Sequence, residues 1–232
     1  MTILNCKIAS IETIIDTVYR VRLLAENKFY FRAGQYLKII INELDKRPFS
    51  LATIPSKDRS IELHIGSSEF NFYTMETIKY ILSHNNINID LPYGRAWFRE
   101  NSKKPIILIA GGTGFSYTRA ILYAALKENP ARDITFYWGG KNLEQLYDLT
   151  KLQILSKKFP NIKIIPVIEK PEVDWLGKTG TVLSVILNDF CSLSKYEIYI
   201  AGRFEMAKIA RERLCEKGIS PEFLYGDAFE FI

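Results

Sequence analysis

The chain has 232 residues, 47% of them hydrophobic and 25% charged, and its 31 Lys and Arg against 26 Asp and Glu leave a formal net charge of +5. This composition is typical of a globular protein with a buried core, which excludes disordered, collagen-like and coiled-coil chains. The basic residues are scattered and form no stripe or motif of a nucleic-acid binder, so we expect no nucleic-acid partner.

Cysteine usage and hydropathy favour a cytoplasmic protein without a metal. Cys6, Cys191 and Cys215 are too few and too widely spaced for a disulfide framework or a metal cluster, and only two His accompany them. The first residues lack the basic start and apolar run of a signal peptide. No stretch reaches the roughly 18 apolar residues of a membrane span, so we expect no membrane contact.

The first hundred residues have the pattern of antiparallel β-structure. Short apolar or alternating runs, many of them β-branched or aromatic, are separated by turn residues. The predicted strands are 5–11, 17–24, 36–41, 49–54, 61–65 and 87–91, and the one predicted helix is 73–83. Several short strands with a single helix predict a small barrel.

The polar stretch 101–105, which ends in Pro105, separates this region from one where strands and helices alternate. The predicted strands are 106–110, 134–138, 162–168 and 197–201, and the predicted helices are 116–127, with Ser116 as N-cap, 143–157, 181–188 and 205–217. Repeated βα units predict an open parallel sheet with helices on both faces. We therefore predict an antiparallel β-barrel domain at 1–102, followed at 103–232 by an α/β doubly wound parallel-sheet domain of the nucleotide-binding kind.

A glycine-rich turn follows the apolar strand 106–110 and precedes a predicted helix. It consists of Gly111, Gly112, Thr113, Gly114 and Phe115. Glycines let backbone N–H groups approach a ligand, and a helix N-terminus favours an anion such as a pyrophosphate. The third glycine of the dinucleotide fingerprint is missing, and no acidic residue ends the next strand. The alternative is a turn that serves only to reverse the chain.

A second strand–glycine–helix junction repeats this pattern on another strand of the same sheet. Gly202, Arg203 and Met206 follow strand 197–201 there. Ligands of open parallel sheets lie beyond the carboxyl ends of the strands. Two glycine turns at those ends predict a ligand that lies across the sheet.

The barrel region contains the motif Arg47, Pro48, Phe49 and Ser50. Pro48 removes a backbone donor, so this strand is expected to bend or to lie at an edge. The Arg47 guanidinium suits phosphate or carbonyl oxygens, and the Ser50 hydroxyl can donate to a ring nitrogen. The alternative is a strand with one surface arginine.

The carboxy terminus alternates aromatic residues, which is unusual because chain ends are commonly polar and loose. One interpretation is an aromatic lid over a flat ring, with Phe229 in the lid and Asp227 as a polar group in the cleft. The other is a final edge strand with Phe229 and Phe231 in the core. The sequence does not choose between them.

Longer strings of the chain resemble the bacterial NAD(P)H:flavin oxidoreductases of the ferredoxin–NADP reductase superfamily. The strings are 31–36, 45–50, 62–66, 109–117, 137–140, 200–210 and 226–229. The resemblance extends over essentially the whole chain. It implies a flavin-binding barrel followed by an NAD(P)H-binding α/β domain, and hydride transfer from NADH or NADPH to FMN, riboflavin or FAD as a substrate. The reduced flavin then leaves for an acceptor such as a luciferase or a ferric iron complex.

The resemblance also implies roles for particular residues. Ser50 is expected to act near flavin N5 as the catalytic group. The flavin-binding residues are expected to be Arg47, Pro48, Phe49, Ser50, His64, Asp227 and Phe229, and the nicotinamide-binding residues Gly111, Gly112, Thr113, Gly114, Phe115, Gly202, Arg203 and Met206. A lone His on a strand, such as His64, is also commonly structural. Ala201 stands where many members have Cys, and the segment 66–74, with Glu69 and no basic residue, is a poor pyrophosphate cradle.

Two other functions remain open at the level of sequence. One is an electron-transfer subunit that retains its flavin and feeds an iron–sulfur partner, and the other is a non-catalytic redox sensor. The choice between NADH and NADPH is also open, because Lys141 alone is weak support for a 2′-phosphate site. The preferred flavin, the acceptor and the oligomeric state are not encoded in any pattern we find.

Overall fold

A computed structural model describes residues 2–66 and 71–232, and its first half is an antiparallel sheet. The strands are β1 (Thr2–Ile15), β2 (Val18–Ala25), β3 (Tyr36–Ile40), β4 (Lys46–Ser50), β5 (Ser60–Gly66) and β6 (Asn86–Tyr93), with α1 (Phe72–Leu82) between the last two. They pair in the order β4-β3-β6-β1-β2-β5. Just beyond β4, Ala52 N–H donates to Glu62 O (2.9 Å), which brings the two ends of the sheet together as in a barrel. Glu69, the residue behind the predicted poor cradle, lies outside the described residues.

The second half is a parallel sheet flanked by helices. Its strands are β7 (Ile106–Gly111), β8 (Ile134–Gly140), β9 (Ile162–Ile168), β10 (Lys178–Thr179), β11 (Glu197–Ala201) and β12 (Leu224–Tyr225), in the order β10-β9-β8-β7-β11-β12. The helices are α2 (Phe115–Glu128), α3 (Leu149–Lys158), α4 (Val182–Asp189) and α5 (Phe204–Glu216). The predicted fold class, an antiparallel barrel followed by a doubly wound domain, is confirmed.

Alternation of side chains explains where the cores lie. In β5, Ile61, Leu63 and Ile65 point into the apolar core of the first sheet. In the central strand β7, one set of side chains packs on each face of the second sheet, as expected of an apolar strand covered by helices on both sides. No helix among the described residues is long and apolar enough to cross a bilayer. Within 2–66 and 71–232, no group of three or more His, Cys, Asp or Glu side chains could hold a metal ion.

The predicted strand 49–54 is wrong in its bounds, because the strand is Lys46–Ser50 and the chain then leaves the β3 ladder. The apolar residues that follow are buried by this departure, since Leu51 and Ala52 are both fully enclosed. Apolar composition alone does not distinguish a buried turn from a strand.

The predicted helix 143–157 is in fact two pieces. Residues Leu143–Gln145 form a short 3-10 turn, in which the Asn142 side chain accepts from Gln145 N–H (3.2 Å), and α3 begins only at Leu149. Tyr147 and Asp148 occupy the break, and both contact the first sheet. The long-range contacts of these two residues thus interrupt a segment with helical periodicity.

Two further expectations need correction. Ser116 is not the N-cap of α2, because the cap position is Gly114 and Ser116 lies inside the helix, where its hydroxyl donates to His64 O (3.4 Å). The carboxy terminus is not an extended edge strand either. Residues Asp227–Glu230 form a 3-10 turn, and the Phe231 side chain is 65% exposed and outside the core.

Candidate functional site

The two glycine turns lie against one another at the carboxyl ends of neighbouring strands. β7 and β11 pair so that Ala110 lies opposite Ala201. A Cβ atom on Gly114 would overlap the Ala201 carbonyl, and a Cβ on Gly202 would overlap the Met206 side chain. Only glycine permits this close approach. The turns therefore form one continuous backbone surface, with Met206 as its apolar side.

The first glycine turn, Gly111–Gly114, exposes mainly backbone groups. Gly112 has φ +54°, in the left-handed region that favours glycine, and the space where its side chain would stand is open. No side chain caps the start of α2. The 3-10 turn Gly112–Gly114 leads directly into α2, and the Phe115 N–H donates back to Gly112 O, so the N–H groups that suit an anion are those of the turn itself. The Phe115 side chain is buried and stacks on Trp138 (3.9 Å between ring centroids), so only the Phe115 backbone can face this surface.

The end of β5 meets the first glycine turn. A Cβ atom on Gly66 would stand 3.0 Å from Thr113 Cγ2, so the Gly66 backbone lies directly against the Thr113 side chain. Ala52, which pairs with Glu62, brings the end of β4 and the half-buried Ser50 to the same region. The end of β5 and the first glycine turn are thus in contact, and the predicted cleft between the two sheets stays a prediction.

Tyr36 is a candidate site residue that sequence reasoning missed. It pairs with Ser50 across β3 and β4, which places both side chains on one face of the sheet, and it stacks on Tyr93 (5.6 Å). The sequence did contain a signal for Tyr36, because this residue ends the string 31–36, which resembles flavin oxidoreductases.

Arg47 is buried and turned into the protein. Its guanidinium donates to the Asp45 carboxylate, to Glu76 (3.1 Å), to Tyr73 O (2.6 Å) and to Thr77 Oγ1 (3.1 Å), which accounts for its five N–H groups. These bonds tie β4 to α1. They leave no guanidinium donor for the predicted flavin contact, which would require the exchange of an ion pair.

Both ring nitrogens of His64 likewise have hydrogen-bond partners within the protein. Nε2 pairs with Glu62 Oε1 and Nδ1 with the Tyr147 hydroxyl, both at 3.0 Å. Burial lowers the pKa of His64, although Glu62 opposes this, so the ring is favoured as neutral. This geometry favours the structural interpretation of His64 over a direct flavin contact.

The remaining barrel-side and tail residues differ in exposure. Pro48 is exposed and Phe49 is half-buried against the barrel core. Asp227 Oδ1 is buried and has no hydrogen-bond partner among the described residues. Burial, with the nearby charge of Glu230, raises the pKa of Asp227 to about 7. Phe229 is partly buried against the core of the second sheet.

An antiparallel sheet that meets the glycine turns of a parallel sheet defines a two-sheet fold that solved structures share. The fold is similar to the structure of a cytochrome P450 reductase from Amycolatopsis (TM-score 0.89, 22% identity, 97% of this chain and 69% of that chain). It is also similar to a ferredoxin NADP+ reductase from Neisseria gonorrhoeae with bound FAD and NADP (TM-score 0.79, 16% identity, 94% and 92%). Residues 108–212 match the family described as "Oxidoreductase NAD-binding domain".

Sequence comparison gives the narrower family. The chain is 43% identical to an NAD(P)H-flavin reductase of Vibrio harveyi over 238 residues, which covers 100% of both chains. It is 46% identical to an NAD(P)H-flavin reductase of Aliivibrio fischeri over 235 residues, with 99% of both covered. The chain therefore belongs to the family of NAD(P)H-flavin reductases, and it is an oxidoreductase enzyme.

Proposed function

We propose that the protein transfers a hydride from NADH or NADPH to a flavin that diffuses in, and that the reduced flavin then leaves for a separate acceptor. Full-length identity to flavin reductases supports the reaction. Residues 1–102 are assigned to the flavin and residues 103–232 to the nicotinamide. On the sequence resemblance alone, we extend the proposal to a luciferase or a ferric iron complex as acceptor.

The observation that carries the proposal is the contact of Gly66 with Thr113. It joins the barrel face that carries Ser50 to the backbone surface of the glycine turns. Flat rings held on these two sides can stack within one cleft. Hydride transfer between rings held in place needs no general base, since position and orientation supply most of the rate.

On the nicotinamide side, the proposed binding groups are mainly backbone. The N–H groups of Gly111, Gly112, Thr113 and Gly114 lie at or beside an uncapped helix start, which suits the pyrophosphate, whereas the Phe115 N–H already donates to Gly112 O. Gly202 and Met206 would form the floor beneath the nicotinamide ring. Arg203 is exposed at the start of α5 and would supply a positive charge near the phosphates.

On the flavin side, Pro48 and Ser50 would line the ring, whereas the Phe49 side chain packs against the barrel core on the other face of β4. The Ser50 hydroxyl would donate near N5 and stabilise the reduced ring as negative charge develops. Asp227 and Phe229 would close the cleft from the tail. Arg47 and His64 would act by holding β4 and β5 in place, since their polar atoms already have partners in the protein.

The ion pairs of Arg47 with protein carboxylates also support a flavin that binds and leaves as a substrate. Phosphate groups of retained flavins need charge-assisted donors. Here the guanidinium on the flavin strand is neutralised by Asp45 (2.6 Å) and Glu76 (3.1 Å), and both carboxylates would repel a phosphate. The flavin would then be held through its ring and ribityl chain, which suits a substrate.

The test is an absorbance assay on purified, desalted protein. We expect a colourless protein that oxidises NADH only after riboflavin or FMN is added. A yellow protein that retains its flavin through desalting would contradict the diffusing substrate and favour the electron-transfer subunit. A colourless protein without turnover would contradict the reductase and favour the sensor.

A further inference from the structure

One face of β5 forms the contact between the two sheets. Ile61, Leu63 and Ile65 point into the barrel core, so the alternate residues Glu62, His64 and Gly66 point away from it. Gly66 lies against Thr113 of the glycine turn. Glu62 and His64 are buried, although they lie on the outer face of a barrel. Their surroundings are supplied by the second sheet and its helices.

Two side chains of the α/β half contact this face directly. Arg119 of α2 lies 3.3 Å from Glu62, and the Tyr147 hydroxyl lies 3.0 Å from His64 Nδ1. The His64 ring also stacks on Phe115 (5.9 Å between centroids), the first residue of α2. Through Phe115, His64 touches the base of the glycine turn itself.

A buried ion pair extends this contact to β2. Arg20 Nη2 donates to both oxygens of Asp148 (3.0 and 3.1 Å), and the two residues are 5% and 4% exposed. Arg20 also lies 3.7 Å from Glu62. Tyr147 and Asp148 are the two residues that interrupt the segment predicted as one helix. The break therefore presents two adjacent side chains to the barrel.

Glu62 and His64, the two titratable residues on this face of β5, each have one favoured protonation state at neutral pH. Burial raises the pKa of Glu62, but His64, Arg119 and Arg22 outweigh it and bring the value to about 2. His64 is favoured as neutral, as described above. The contact thus consists of a carboxylate held by arginines and a neutral imidazole held by a hydroxyl.

We infer that Tyr147 and Asp148 are positioning residues for hydride transfer, which set the separation of the two sheets by binding His64 and Arg20. The inference rests on the proposed function, because it takes the flavin to bind beside β4 and β5 and the nicotinamide to bind at the glycine turns. A displacement of about 1 Å between reacting groups can cost on the order of 100-fold in rate. Other contacts hold the two halves together, such as the Arg119–Glu62 pair (3.3 Å) and the bond from the Tyr117 hydroxyl to Ala96 O (2.7 Å), so we expect loss of one hydroxyl to shift the sheets without separating them.

The test compares Tyr147→Phe with the matched control Tyr137→Phe. Both remove one hydroxyl in a hydrogen bond, but the Tyr137 hydroxyl binds Asp189 (3.0 Å) within the α/β half. Hydride transfer is followed in a single turnover with NADH and riboflavin, and again with NADH deuterated at the transferred position. We expect Tyr147→Phe to slow the step about tenfold and to raise the isotope effect on kcat, with both KM values within about twofold. Tyr137→Phe is expected to change neither, at a similar melting temperature.

A Tyr147→Phe enzyme with the rate and isotope effect of Tyr137→Phe would overturn the inference. Asp148→Asn provides a second test, because it keeps the shape of the side chain and removes the charge opposite Arg20. It is expected to slow hydride transfer in the same way, and an unchanged rate would count equally against the inference. Failure of the wild-type protein to oxidise NADH with riboflavin would instead contradict the proposed function, so the two failures are distinguishable.

Discussion

The two sides of the cleft are built from different parts of the chain. On the α/β side, the proposed ligand contacts are backbone N–H groups, and glycines leave that surface without side chains. On the barrel side, the Arg47 guanidinium is turned towards α1 and the neutral His64 ring towards the α/β half, and the polar atoms of both are bound by protein groups. The difference is that the glycine side offers backbone donors that suit an anion, whereas the barrel face of Ser50 offers a hydroxyl beside the Tyr36 ring, which suits a flat ring.

The largest expected effect comes from adding a side-chain atom where the two glycine turns touch. Gly114→Ala places a Cβ against the Ala201 carbonyl and forces the two turns apart. We expect kcat/KM for NADH to fall about 100-fold, since the nicotinamide would be displaced from the flavin. Steady-state kinetics measure this. Gly218→Ala is the matched control, because Gly218 lies outside the proposed site, its Cβ would meet nothing closer than Ser192 Oγ at 3.6 Å, and the change costs about 1 kcal/mol of backbone strain. Equal kinetics for the two variants would show that the contact of the turns is unimportant.

Ser50→Ala tests the one polar side chain assigned to the flavin ring. Loss of a hydroxyl that stabilises developing charge lowers kcat, and we expect a fall of at least about tenfold with the melting temperature unchanged. Stopped-flow measurement of flavin reduction reports this step. The exposed Ser10 gives a control, as Ser10→Ala removes a hydroxyl from the same sheet far from the cleft. Unchanged turnover in Ser50→Ala would remove this residue from the mechanism.

Arg47→Lys tests whether the Arg47 guanidinium stabilises the fold or binds the flavin. Lysine cannot reproduce the bonds to Asp45, Glu76 and Tyr73, so we expect the free energy of unfolding to fall by about 2 kcal/mol. KM for riboflavin should stay within about threefold. Denaturant titration and kinetics check both parts, with the half-exposed Arg22→Lys as control. A large rise in KM at unchanged stability would show that Arg47 binds the flavin directly.

A further prediction concerns the pH dependence of stability. Burial raises the pKa of Asp227 to about 7 in the folded protein, above its ordinary value of 3.8. The folded state therefore favours the proton, and the stabilisation is complete below pH about 3.8 and is lost as pH rises towards 7. We expect Asp227→Asn to gain stability relative to wild type between pH 4 and about 7. Melting curves across this range measure it, and the exposed Asp16→Asn should show no such gain. Parallel curves for wild type and Asp227→Asn would contradict the raised pKa.

The glycine side of the cleft was largely predictable from sequence, and the barrel side was not. Strand, glycine and helix are local patterns, so Gly111–Gly114 and Gly202 were placed at strand ends correctly. The orientation of Arg47 depends on Glu76, and that of His64 depends on Tyr147, which is 83 residues away. No pattern in a single sequence pairs residues at such a distance. The predicted helix 143–157 failed for the same reason, since Asp148 leaves the helical pattern to bind Arg20.

Steady-state kinetics with NADH and riboflavin varied together test the central claim most directly. If both rings occupy one cleft at once, the enzyme must form a ternary complex before the hydride moves. The account predicts intersecting double-reciprocal lines. Parallel lines, the pattern of a ping-pong reaction in which the nicotinamide leaves before the flavin arrives, would contradict it.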